Sequence, residues 1–468
     1  MVRKYRVGRF KIDSDLGSQD NYTMAKSWIE GCCKLHRNCP RKQVAKLPTR
    51  VIDVGLLDSQ QSPRLVLSQG TEAKYATLSH CWGGEISPLL TQETLNSFRH
   101  AIPLSDLPAN FRDAIFITRG IGIQYLWIDS LCIIQDSRAD WEAESKTMGS
   151  IYRDALVTIS AATACRSTDG IIKGPSDSGI AEESISPRLP IDNESNKMVQ
   201  VSLKREEESM RELFLRSPLM KRGWTLQEAI LSPRILWYGH QLFWQCPQGF
   251  QSADGVPPGT LMPEDSAYTE IVNVIHSLNQ TDGKAPDLNL VLDDYYNLVR
   301  DYSSRTLSYN SDKFPAFSGL AALLHPILGG EYLAGIWSMD FRKGLIWYKE
   351  TRDCRHTLPS QAPSWSWAVT NGPVLFWFTT RKETTSPNDA QLIDHKVELK
   401  SQNVYGQVDS GHLVINGLTK KLFRSSQLVN FCNHGIAQVF FDEAESDSTT
   451  FKFSNLFEVR IENRDYFL

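Results

Sequence analysis

The sequence predicts an α/β fold: a parallel sheet core carrying helical insertions, followed by a β-rich C-terminal region. Three observations predict it. Between residues 72 and 165, short apolar runs of strand character alternate with runs of helical spacing, the pattern of a parallel sheet joined by crossover helices. Three segments, Tyr75-Ala-Thr-Leu-Ser-His-Cys-Trp-Gly-Gly84, Leu126-Trp-Ile-Asp-Ser-Leu-Cys-Ile-Ile-Gln-Asp136 and Arg222-Gly-Trp-Thr-Leu-Gln-Glu228, each join an apolar run to a polar residue. Strands do this where they deliver side chains to the mouth of a sheet. After about residue 360 the chain changes to short alternating runs, which read as strands.

Residues 25–35 have helical spacing and Cys39-Pro40 ends that helix. Residues 50–55 and 64–67 read as strands around the polar turn 58–63. Residues 75–79 form a strand and 91–100 a helix fragment. Residues 107–122 form a helix in which Leu107, Phe111, Ala114, Ile115 and Thr118 share a face. A strand at 125–128 precedes a helix opened by Ser137, with Asp140 three residues on as a capping-box acid. Trp141, Met148, Ile151, Tyr152 and Ala155 line that helix. Residues 156–161 return to strand. Residues 165–200, rich in Ser, Gly, Pro and Asp, read as a loop or insertion. Residues 206–215 and 226–231 are helical, and 234–239 with 241–246 form a hairpin around Gly239-His240. From Pro257 to about 330 the chain is helical, including 293–305. Strands are expected at 404–408, 413–418 and 437–441. The boundaries drawn are 1–70 for an N-terminal helix and strand pair, 71–250 for the α/β domain, 251–360 for a helical region and 361–468 for the β-rich region.

At 468 residues, with 41% hydrophobic and 22% charged residues, this is a globular composition able to bury a large core. A net charge of −4 without a dense basic run argues against nucleic acid. No apolar run reaches the roughly 18 residues of a membrane span, and the basic start lacks the apolar stretch of a secretory signal. Nine Cys without framework spacing fit reduced thiols in a cytosolic or nuclear protein, and a cytoplasmic location is the expectation. Twelve Trp point to large packed interfaces first and to function second.

The three segments resemble the fungal heterokaryon-incompatibility (HET) family. So do Asp312-Lys-Phe-Pro-Ala-Phe-Ser-Gly-Leu320, Tyr332-Leu-Ala-Gly-Ile-Trp337, Pro363-Ser-Trp-Ser-Trp-Ala368 and Trp28-Ile-Glu-Gly-Cys-Cys-Lys-Leu-His-Arg-Asn-Cys39. The resemblance covers about residues 25–370 and is densest from 75 to 246. It implies a part in programmed cell death when genetically unlike fungal cells fuse, a form of innate immunity. HET domains are regarded as distant relatives of TIR domains, so the resemblance further implies a TIR-like (flavodoxin-like) core. Tyr75–His80 is similar to the first TIR strand and Leu126–Asp129 to the second. Trp224-Thr-Leu-Gln-Glu228 resembles the TIR catalytic segment, with Thr225 where that segment has Cys and with some sixty residues between Ala161 and Trp224 where it has few.

Catalytic TIR domains cleave NAD+, and the resemblance makes NAD+ a candidate substrate, with no resident cofactor. Cationic nicotinamide is a good leaving group, so the chemistry needs a carboxylate beside the ribose to stabilise an oxocarbenium-like centre. Glu228 is the candidate, with Trp224 one turn earlier to stack on a ring or exclude water. Glu228 also reads, and by the commoner pattern, as the acid of a capping box opened by Thr225. Asp129 could bind a ribose hydroxyl or cap the turn that follows it. Ser79, His80, Trp82 and Gly83 end the first strand, and Gly83-Gly84 permits close approach to a phosphate or simply forms a turn. Arg222 could meet a phosphate or be solvated. His80 with Cys81 or Cys132 would make a thiol hydrolase, although Cys is more often a small core residue. Cys32, His36 and Cys39, at i, i+4 and i+7, could offer three zinc ligands. No fourth is evident and Pro40 ends the helix, so a partly buried face without metal is the expectation. The alternative to an enzyme is a self-associating signalling module, for which a homo-oligomer and a regulatory protein are the implied partners.

Overall fold

In the computed structural model, eight strands form one mixed sheet, parallel in the middle and antiparallel toward both edges. The structure describes residues 10, 12–57, 59, 61–172, 188–190, 198–200, 208–256, 286–350, 361–376 and 390–417. The chain divides into two compact units of interleaved segments. The first comprises Met1–Asp136, Ala155–Leu219 and Pro233–Met262; the second comprises Ser137–Asp154, Met220–Ser232 and Pro263–Leu468.

The first unit carries the sheet. Its strands are β1 (Arg50–Asp53), β2 (Arg64–Leu67), β3 (Tyr75–Ser79), β4 (Tyr125–Trp127), β5 (Val157–Ser160), β6 (Ile235–Tyr238), β7 (Leu242–Cys246) and β8 (Gly249–Ser252). Their spatial order is β8-β7-β6-β5-β3-β4-β1-β2. The neighbours β4, β3, β5 and β6 pair in parallel. The expected parallel core is therefore the centre of a mixed sheet, and the connections explain its antiparallel β6–β8 edge. Three residues join β6 to β7 and two join β7 to β8, too few for the crossover that parallel neighbours require.

β3, β5, β6 and β7 are buried at every position. Strands covered on both faces read as continuous apolar runs, which is why these segments stand out in the sequence. Two polar residues inside that layer satisfy each other: the Thr77 and Thr158 hydroxyls lie 2.7 Å apart across β3 and β5. The parallel order β4-β3-β5-β6 places the first strand between the second and third. The direction of winding therefore reverses between β3 and β5, and open α/β sheets bind ligands at the carboxyl ends of strands at such a reversal.

The first unit's helices are α1 (Gln19–Leu35), α2 (Leu95–His100), α3 (Ala109–Gly120), α4 (Asp129–Cys132) and, beyond the next helix in the chain, α6 (Met210–Arg216). α1 starts six residues before the apolar spacing shows it. The Ser18 hydroxyl accepts from the Asn21 N–H at 3.3 Å, an N-cap that satisfies one orphan donor. α1 ends at His36, which is extended, so Cys39 lies beyond the helix on the following turn. That corrects the reading of Cys32, His36 and Cys39 as one helical face. α6 begins at a complete capping box between Ser209 and Glu212, and lies four residues later than its apolar run suggests. Within residues 165–200, described stretches at 188–190 and 198–200 pair antiparallel.

The second unit is built on α5 (Arg138–Asp154), α7 (Trp224–Leu231), α8 (Leu288–Ser304) and α9 (Pro315–Leu328). α5, α7 and α9 pack on one another. A Cβ on Gly149 of α5 would lie 2.8 Å from the Cα of Gly319 on α9 and 3.1 Å from Leu231 of α7. Backbone meets backbone there, which only glycine allows. Beside this crossing, Tyr295, Tyr302, Phe317 and Trp367 interlock with ring centroids 5.0–6.0 Å apart, within the range of favourable aromatic pairs. Gly335, at φ +95°, lets its carbonyl accept from both Tyr295 Oη at 2.8 Å and Trp367 Nε1 at 2.7 Å. Trp337, Trp365 and Trp367 of this unit are core residues. One antiparallel hairpin, Gln391–Leu399 with Val408–Asn416, replaces the two short strands expected near 404–408 and 413–418. The strand expected at 437–441 lies outside the described residues. Among the described residues no helix is long and apolar enough to cross a membrane.

Candidate functional site

The residues singled out from the sequence fall into two groups. Ser79, His80, Trp82, Gly83 and Asp129 belong to the first unit; Arg222, Trp224 and Glu228 belong to the second.

In the first unit the group collects at the carboxyl ends of β3 and β4. Ser79 is the last residue of β3, and its carbonyl accepts from the Ala161 N–H at 3.0 Å. The chain then turns through His80, Cys81 and Trp82. Asp129 opens α4 directly after β4 and uses both carboxylate oxygens. Oδ1 accepts from the Ser130 N–H at 2.7 Å, and Oδ2 accepts from Trp82 Nε1 at 2.8 Å. The first bond is the turn-capping use of Asp; the second pins the indole. His80 Nε2 stands 3.9 Å from Asp129 Oδ1. The His80 ring is buried, with its edge against Phe111 at 5.0 Å between centroids. His80, Trp82 and Asp129 thus form one polar cluster roofed by aromatic groups. Asp129 stays half-exposed, so a carboxylate held in place at the sheet's mouth remains reachable.

Gly83 and Gly84 have different surroundings. At Gly83, φ is +68° and an added Cβ would lie 2.4 Å from the Cys165 carbonyl oxygen. The close approach that Gly83 permits is taken by the chain's own 165–166 backbone. That segment is tied down independently: Asp169 Oδ2 accepts from the N–H groups of Cys165 and Arg166, each at 2.9 Å. At Gly84, φ is +132° and, among the described residues, nothing lies within 4 Å of an added Cβ.

In the second unit the local structure bears on the capping reading of Glu228. α7 begins at Trp224 with Gly223 as its N-cap and no side-chain cap. Thr225 is already inside the helix, its hydroxyl donating to the Arg222 carbonyl at 2.8 Å. Glu228 is the fifth helical residue, past the third position from which a capping acid reaches back. The capping box does not form. Instead, Glu228 is 7% exposed on a helix buried from Thr225 to Leu231. A carboxylate in such a place is costly unless its surroundings or its function require it. Trp224 is half-buried and its Nε1 donates to Asp312 Oδ2 at 3.1 Å. Burial pushes the Asp312 carboxyl above its usual range, against the lowering effect of the Trp224 hydrogen bond. Arg222 holds its backbone in a parallel bridge with Thr306.

One neighbour gave no signal in the sequence. Gln227 is fully buried, and neither side-chain amide atom has a hydrogen-bond partner among the described residues. A lone Gln in an apolar run looks like a solvated helix position, and only packing against Gly319 shows otherwise. An orphaned buried amide costs about 1–3 kcal/mol. Gln227→Leu, of similar volume, is therefore expected to raise the thermal unfolding midpoint, read by differential scanning fluorimetry. An unchanged or lower midpoint would mean that the amide is satisfied in solution.

Residues 75–228 match the family model described as heterokaryon incompatibility protein (HET). The span runs from the first residue of β3 to Glu228. No curated protein and no solved structure matches the chain.

Proposed function

With residues 75–228 a heterokaryon-incompatibility region, we propose that this protein is a cytoplasmic cell-death effector of fungal non-self recognition and that it hydrolyses NAD+. Glu228 is its catalytic carboxylate. The observation that carries the reading is the setting of Glu228: a nearly buried acid on a helix that does not use it as a cap. The spacing Trp224 to Glu228 supports the same assignment through its similarity to the TIR catalytic segment.

In the reaction, the bond between nicotinamide and the ribose C1′ breaks and the pyridine nitrogen keeps the electron pair. Positive charge develops on the ribose. A fixed carboxylate stabilises that charge more in a dry site than in water, because it needs no reorganisation as the charge forms. Water then bonds to C1′ and loses a proton to solvent, giving ADP-ribose. Trp224, whose indole N–H is anchored by Asp312, presents a fixed ring that shields this centre. Arg222, in the same unit as Glu228, is proposed to pair with phosphate; in the first unit, Ser79, His80, Trp82, Gly83 and Asp129 are a separate candidate for nucleotide contacts.

The test is incubation of the purified full chain with NAD+, with nicotinamide and ADP-ribose followed by chromatography. A crowding agent is included to drive assembly. Release that scales with protein concentration supports the reading. Absence of release at high concentration, together with self-association in sedimentation, would replace it with a non-enzymatic signalling module.

A further inference from the structure

We infer that the first unit holds a structural zinc ion on Cys32, His36, Cys39 and Cys246, a closed Cys3His site. The ligand atoms of these four residues all lie within 4.8 Å of one another. His36 Nδ1 faces the sulfurs, 3.3 Å from Cys246 Sγ and 3.7 Å from Cys39 Sγ. Zinc bonds of about 2.3 Å to sulfur and about 2.0–2.1 Å to nitrogen, arranged tetrahedrally, set sulfur–nitrogen edges near 3.6 Å and sulfur–sulfur edges near 3.8 Å. The two sulfur–nitrogen distances, 3.3 and 3.7 Å, bracket the first of these edges.

Three elements converge to make it. Cys32 lies in the last turn of α1 and His36 is the residue that ends the helix, so the two project from one side a turn apart. The turn after α1 swings Cys39 back beside them. Cys246 comes from the end of β7, where the register pairs it with Gly249 across a two-residue hairpin turn. α1 lies against β7 with Trp28 and Trp244 in ring contact at 6.3 Å, which brings the fourth ligand to the other three. The sequence offered three ligands without a fourth because Cys246 is 210 residues from His36. The expectation of no metal here is revised on that ground.

The surroundings fit a bound cation. All three thiols are buried. Three thiolates with one Zn2+ carry a net charge of −1. Arg234, itself 1% exposed, donates from Nε to Cys32 Sγ at 3.2 Å, from Nη1 to the Leu156 carbonyl at 3.3 Å and from Nη2 to the Pro40 carbonyl. Among the described residues no carboxylate bonds to it. Its +1 charge balances the site, and an N–H donated to a ligating sulfur is the outer support that metal sites use to fix their ligands. The mixed sulfur and nitrogen set selects zinc over hard cations that prefer oxygen. With four protein ligands and no open position, the ion staples α1 to the β7–β8 hairpin and has no catalytic role.

The experiment uses the full chain, purified without a polyhistidine tag or chelator from zinc-supplemented cells. Elemental analysis is expected to give about one zinc per chain, and zinc removal by a strong chelator to lower the thermal midpoint. Cobalt substitution should give a thiolate-to-cobalt charge-transfer band and the visible bands of a tetrahedral ion. Cys246→Ser should lose the metal, while Cys165→Ser, at an exposed thiol outside the cluster, should keep it. Because Cys246→Ser could unfold for other reasons, His36→Cys is the second variant. It should retain zinc, now on four sulfurs, and intensify the cobalt charge-transfer band. Wild-type protein with no zinc above background and no cobalt bands on titration would overturn the site. So would cobalt bands left unchanged by His36→Cys.

Discussion

Glu228→Gln is expected to lower nicotinamide release on the order of 10²–10³-fold, the usual loss when one preorganised electrostatic group is removed from a transition state. The substitution keeps shape and volume on a helix whose residues Thr225 to Leu231 are all buried, so packing survives. Stability should largely hold, since the substitution is isosteric. The signature is therefore a split: activity lost, far-UV spectrum and thermal midpoint kept. A variant that retains release within about twofold would place the catalytic carboxylate elsewhere, because no enzyme of this kind can lose its charge-stabilising group at so small a cost. Glu228→Asp offers a graded control, retaining the charge but withdrawing it by one methylene.

Gly149→Val should be the most damaging single change to the second unit's framework. Even an alanine Cβ at this position would sit 2.8 Å from the Gly319 Cα, and the atom in the way is backbone that cannot rotate aside. Two effects oppose each other in Gly149→Ala. Replacing a helical glycine gains about 0.5–1 kcal/mol of propensity, and forcing the helices apart costs about 1–3 kcal/mol. The clash prevails, and valine adds two further carbons to it. Gly319→Ala meets the same gap from the other side, 2.9 Å from the Gly149 Cα and 2.7 Å from Gln227 Oε1. The double substitution should then cost less than the sum, since one separation of α5 from α9 relieves both. Thermal unfolding of the single and double variants checks this. Strict additivity would mean that the two glycines do not share one crossing. Because Leu231 of α7 borders the gap, the same variants should also reduce any activity that depends on Glu228.

The parallel centre of the sheet was legible because its strands are buried on both faces and so spell unbroken apolar runs, as Tyr75–Ser79 and Val157–Ser160 do. The hairpin at β6 and β7 was legible from Gly239-His240 between two such runs. β8 was not, since Gly249-Phe-Gln-Ser252 is too short and too polar to announce a strand. For the site, the candidate residues were visible as polar groups following apolar runs, but their roles were not. The capping box at Thr225 failed because the helix begins at Trp224, two residues earlier than a cap at Thr225 requires; next to that start the Gly223 N–H donates to the Thr306 carbonyl at 2.8 Å. Gln227 and Cys246 were invisible for a common reason. Each acquires its chemistry from a partner far away in sequence: Gly319 for one, α1 for the other.

The spatial order of the sheet also bears on how this protein can be divided. Of the eight strands, only β3, β4 and β5 lie within residues 75–228. β6, which hydrogen-bonds to β5, and β1, which hydrogen-bonds to β4, come from outside that span. A fragment cut at the limits of the recognised region would leave β4 and β5 as bare sheet edges, exposing unpaired N–H and carbonyl rows that invite other chains to add on. The stretch that matches the family model is thus not by itself a unit of folding, and a truncation that keeps the sheet whole must start before β1 and continue past Ser252.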